Sequence, residues 1–190
     1  MLNGVFPSIV IIICFALIFG SKFLKRSITG LQFFYWMIVG LYVAGLVSVT
    51  LFPFPYQKFL IDTMIEDKLG LPNNYIPFNG IKEAIQTGYY PVIIKQIGGN
   101  ILLFIPLGFA LPILYSNIKK KKVILISFLV SLTIETTQLI AGKLIGYNYR
   151  AFDVDDLMMN TLGAFIGLII FKLLFTFLKK NNLLINQKSA

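Results

Sequence analysis

The chain has 190 residues, of which 57% are hydrophobic and 13% charged, with a formal net charge of +9. Soluble domains carry about a quarter charged residues, so this composition, with a mean hydropathy of +0.80, excludes an ordinary water-soluble fold and points to a bilayer as solvent. There is no histidine and a single cysteine, Cys14, which excludes an internal disulfide, histidine-activated nucleophiles and histidine-ligated metals.

The first apolar run, residues 1–21, is uncharged, and Lys22, Lys25 and Arg26 follow it. A cleaved signal peptide has its positive charge before the apolar stretch. The reverse order predicts a retained helix over about 4–21 with its N-terminus outside. Cys14 lies within this run and reads as a buried, inert thiol. Residues 27–57 are also uncharged and give a second span over about 31–52, ended by Phe52-Pro-Phe-Pro55, because proline cannot continue a helix.

Residues 53–95 form the long connection. Over 58–69, Ile61, Met64, Ile65 and Leu69 share one helical face, which predicts an amphipathic helix on the membrane surface or against the bundle. Asn79 reads as the N-cap of a short helix through Gln86, closed by Gly88. Tyr75, Phe78, Tyr89 and Tyr90 have the character of interfacial aromatics.

The third span, about 96–116, contains Gly98, Gly99, Pro106 and Gly108, a pattern for a kink or a close crossing. After the Lys119–Lys122 run, read as a topology anchor, the fourth span covers about 123–142. The fifth covers about 156–178, with Lys172 near one end. Its Gly163 and Gly167 form a small-residue face suited to close helix packing. The tail from Lys179 is polar and reads as frayed. The fold class is therefore an all-α, polytopic bundle of five transmembrane helices forming one membrane domain over 1–190.

Charge orients the bundle. With the N-terminus outside, the inner segments carry eleven bases and no acids, and the outer ones six bases and seven acids. The positive-inside rule then puts the C-terminus inside. The bases punctuate apolar runs and form no solvated face, so nucleic acid is not an expected partner. The lipid bilayer is.

One charge, Glu135, falls inside a span. It lies about seven residues from the outer end of the fourth helix, roughly 10 Å deep by helix rise. An ionisable group at such depth is costly and marks a functional site unless it is a structural pair, for instance with arginine. Gln138 follows on the same face. Asn100 and Asn160 begin the third and fifth spans at similar depth, where they could also serve as interhelical hydrogen-bond glue. Between spans four and five lie Arg150, Asp153, Asp155 and Asp156. One aspartate is expected to cap the fifth helix, with the others in its first turn. The topology directs all eight residues towards one region of the outer leaflet. No metal or cofactor is expected.

Several segments carry a resemblance to a known family. They are Tyr75-Ile-Pro-Phe-Asn79, Gly99-Asn-Ile-Leu-Leu-Phe-Ile-Pro-Leu-Gly108, Glu135-Thr-Thr-Gln138, and Arg150-x-x-Asp153-x-Asp155-Asp156-x-x-x-Asn160-x-x-Gly163. In this order and spacing, over about residues 45–170, the chain resembles the VanZ-like membrane proteins. The resemblance implies a small multi-pass protein of the bacterial cell membrane. It also implies an association with resistance to teicoplanin, a lipid-bearing glycopeptide, apart from the enzymes that rebuild its peptidoglycan target.

Three functions follow as expectations. The favoured one is a non-enzymatic envelope protein whose outer polar pocket binds a lipid-linked cell-wall precursor or a lipoglycopeptide. The alternative is an intramembrane enzyme on a lipid-linked precursor, with Glu135 as the candidate catalytic acid or base, Arg150 holding a phosphate, and the aspartates binding a divalent cation. A proton-coupled transporter using Glu135 is the third, disfavoured by five spans without a repeat.

Overall fold

The computed structural model describes residues 1–86, 88 and 90–185. Tyr89, expected at the interface, and Lys188, counted with the inner bases, lie outside the described residues. The described residues are helical, apart from loops and two isolated bridges. In hydrocarbon every backbone N–H and C=O must be paired within its own segment, which the α-helix achieves.

The helices are α1 (Val5–Leu24), α2 (Gly30–Leu51), α3 (Lys58–Glu66), α4 (Asn79–Gln86), α5 (Tyr90–Ile93), α6 (Gly99–Leu114), α7 (Lys120–Ile145) and α8 (Val154–Lys180). A π-helical turn, Ile94–Gly98, joins α5 to α6. Among the described residues five segments are long and apolar enough to cross a membrane: α1, α2, Ile94–Leu114, α7 and α8.

Local signals set the helix ends. Thr29 caps α2 in a reciprocal box: its hydroxyl accepts the Gln32 N–H (3.2 Å) and the Gln32 side chain accepts the Thr29 N–H (2.8 Å). Gly146, at φ +73°, closes α7 in the left-handed conformation that glycine adopts without strain. Helix α7 therefore runs to Ile145, past the expected end near 142. Glu135 accordingly sits about 15 Å along the axis from that end, deeper than expected.

Packing centres on α6 against α8. A Cβ on Gly163 or Gly167 would collide with the carbonyl oxygens of Ile101 and Ile105, and one on Gly108 with that of Ala164. The two backbones touch, and the absence of side chains allows it. Leu46, Phe104 and Ala164 form the buried centre, with Tyr42, Leu103, Leu107, Val130 and Ile134 around it. The Tyr42 hydroxyl donates to the Leu103 carbonyl at 3.0 Å, tying α2 to α6. Interhelical hydrogen bonds in membranes average about 0.6 kcal/mol, so this single bond contributes modestly.

Helix α1 lies at the edge. It buries no residue and leans on α2 through a Phe19–Trp36 stack with centroids 4.3 Å apart. Cys14 is exposed on this helix, not buried as expected, because α1 packs chiefly against α2. Residues 179–185 are also more ordered than expected. Helix α8 continues to Lys180, the Leu183 carbonyl accepts the Tyr35 hydroxyl (2.7 Å), and Ile185 is buried.

Candidate functional site

Four helix ends meet at the end of the bundle that carries the long connection: the C-termini of α2 and α7 and the N-termini of the α6 segment and α8. The connection is stitched over them. Its stretch 71–74 runs parallel to 148–154, with Leu71 N–H on the Asn148 carbonyl (2.9 Å), Asn74 N–H on Phe152 (2.8 Å) and Val154 N–H on Asn74 (3.0 Å). Tyr75 stacks on Phe152 with centroids 5.4 Å apart.

The aspartates divide the labour. Asp153 is the N-cap of α8, accepting the Asp155 N–H and the Asn74 side-chain amide, each at 2.8 Å. Burial pushes its carboxyl above the usual range, and these hydrogen bonds oppose the shift. Asp155 reaches across the interface to the N-terminus of α4, where its carboxylate accepts the N–H groups of Phe78 and Ile81. This corrects the reading of Asn79 as cap. Phe78 is left-handed at φ +67°, Asn79 is already the first helical residue, and its amide donates to Glu83 (2.9 Å). A carboxylate is the stronger acceptor for free helix N–H groups. Asp156 turns the other way and accepts the Asn100 side-chain amide. Among the described residues no three His, Cys, Asp or Glu side chains are grouped to hold a metal.

Helix α7 presents a buried stripe of Ser127, Ser131, Glu135, Gln138 and Gly142 towards α8 and α2. Glu135 is 2% exposed and accepts the Asp153 N–H through Oε2 at 2.9 Å. Its carboxylate thus sits at the positive end of the α8 dipole. Gln138 donates to the Thr50 carbonyl at 2.8 Å. Asn160 donates to the Ser131 hydroxyl at 2.8 Å. Arg150 forms no bond to Glu135. It donates to the carbonyls of Val49 (3.0 Å) and Phe52 (2.6 Å), satisfying acceptors left free where α2 stops at proline.

Between these groups lies a cavity of about 510 Å³ lined by Val49, Thr50, Lys95, Gln96, Gly99, Asn100, Leu103, Glu135, Gln138, Arg150, Asp156 and Asn160. Six of the eight residues singled out in the sequence line it: Asn100, Glu135, Gln138, Arg150, Asp156 and Asn160. Asp153 and Asp155 do not, being turned towards the connection. Lys95 and Gln96 line it without having been singled out. Their signal was present, since both stand at the start of the third span beside Asn100, but a lysine there resembles any interfacial anchor. Asn73, whose Oδ1 accepts the Phe152 N–H at 2.8 Å, and Asn74 hold the connection and gave no signal beyond turn propensity.

A family profile described as VanZ/LLP1 matches residues 39–175. The chain belongs to the VanZ/LLP1 family. The match takes in the cavity-lining residues and begins within α2, so the peripheral α1 lies outside it. No curated protein and no solved structure matches the chain. With five spanning-length helices, it is a multi-pass membrane protein of VanZ/LLP1 type.

Proposed function

We propose that this VanZ/LLP1 protein is a non-enzymatic component of the bacterial cell membrane, associated with glycopeptide (teicoplanin-type) resistance. Its cavity holds the polar head of a lipid-linked cell-wall precursor or of a lipoglycopeptide while the tail stays in the bilayer. The supporting observation is the cavity itself. A polar lining sits about one to three helical turns inside the bundle, with exposed Val49, Lys95 and Gly99 at its edge. A pocket that is polar within and bounded by lipid-facing helices suits an amphiphile. The charge asymmetry supports an orientation with this end of the bundle in the outer leaflet and the Lys119–Lys122 end at the cytoplasm. No cofactor is needed for such a role.

Photocrosslinking tests this reading. A photoreactive benzoylphenylalanine replacing Leu103 in the cavity is expected to trap a glycan-bearing lipid or an added lipoglycopeptide in living membranes. The same residue replacing Leu173, which is 78% exposed on α8, is expected to trap bulk phospholipid. A Gly99→Trp plug should abolish the first adduct and leave the second. Identical adducts at both positions would sink the proposal.

A further inference from the structure

The hydrogen-bonding balance of the cavity narrows the chemistry of what enters it; this step rests on the reading above. Deeper in the cavity several donors are engaged: Arg150 Nη2 on two carbonyls, Gln138 on Thr50, Asn160 on Ser131, and Asn100 on Gln96 and Asp156, while Lys95 and Gln96 also line the cavity. On the floor, formed by Asn160 and Glu135, two acceptors are left over. Asn160 is 2% exposed, yet its Oδ1 has no hydrogen-bond partner among the described residues. Glu135 uses Oε2 for the Asp153 N–H, and its second oxygen remains for another donor. A buried acceptor without a donor bears the full cost of its lost hydration.

We propose that the floor of the cavity receives a hydroxyl-rich head group, a glycosyl lipid, with the sugar hydroxyls donating to Asn160 Oδ1 and Glu135. A bare phosphate brings only acceptors and meets like partners there. Where the lipid carries a phosphate linkage, it stays at the mouth beside exposed Lys95. The shape of the site agrees, since about 510 Å³ exceeds what a single water needs and falls within the range of small-molecule pockets.

The test is lipid retention by the full-length protein, read by native mass spectrometry. The detergent-solubilised protein is offered an equimolar mixture of monoglucosyl diacylglycerol, its per-O-methylated counterpart, phosphatidic acid and phosphatidylcholine, all with the same acyl chains. The glucosyl lipid is expected to be retained about tenfold over its methylated form, since methylation removes every donor and keeps every acceptor; a few neutral hydrogen bonds give a ratio of this order. Asn160→Leu should lower retention about fivefold, whereas Ser131→Ala, which removes only the partner of the Asn160 amide, should change it little. Equal retention of the glucosyl and methylated lipids overturns the inference, as does a preference for phosphatidic acid. If Gly99→Trp still reduces that retention, the cavity reading survives and only the hydroxyl chemistry falls. If the protein retains no added lipid, both fall. The wild-type comparison stands whether or not Asn160→Leu folds.

Discussion

Asp155→Ala should unfasten α4 while leaving the membrane bundle intact. The Asp155 carboxylate accepts two N–H groups at the start of α4, from Phe78 and Ile81, and also contacts the Asn74 amide at 3.3 Å. Helix α4 has eight residues, too few to persist alone in water. Hydrogen bonds to charged groups contribute ~1.5–3 kcal/mol each. Water can replace the lost acceptor at this exposed helix, so the lower figure applies and two bonds give ~3 kcal/mol. That corresponds to about a hundredfold rise in local opening. The assay is hydrogen exchange by mass spectrometry on protein in lipid nanodiscs, following residues 76–86 with residues 101–114 as the internal control. Asp155→Asn, which keeps one acceptor oxygen, should fall between. Unchanged protection over 76–86 in Asp155→Ala would refute the assignment of Asp155 to this cap. Equal loss over 101–114 would show instead that Asp155 supports the whole bundle.

Two further outcomes follow from the packing and the charge pattern. Gly163→Leu should prevent the close approach of α6 and α8, costing ~3 kcal/mol or more by overpacking. A lowered unfolding temperature in detergent reads this, and an unchanged temperature would show that the crossing does not need a bare backbone. On a Cys14→Ser background, Lys68→Cys should react with a membrane-impermeant thiol reagent in intact cells and Lys121→Cys only after permeabilisation; the opposite pattern would invert the proposed orientation.

Glu135 and Gln138 were legible because lipid offers no partner to a carboxylate or an amide, so a helix carrying both must turn that face inward. Asn100 and Asn160 were legible for the same reason. Arg150 was visible as a residue but not in its attachment: nothing in the sequence says that a guanidinium ninety-eight positions beyond Phe52 meets the carbonyl left free at the end of α2. Asp155 and Asp156 are adjacent in sequence, yet one faces α4 and the other Asn100, because successive residues on a helix point about 100° apart.

What the chain determined by itself was the number of spans, their approximate limits and which polar groups fall within them. Those follow from the transfer of residues between water and hydrocarbon, a local property of each segment. What only the tertiary structure decided was which polar groups line a cavity and which fasten the connection across the helix ends. Partner choice in a bundle depends on how closely the helices approach, and here that distance is set by glycines meeting carbonyls between α6 and α8, a relation no single segment contains.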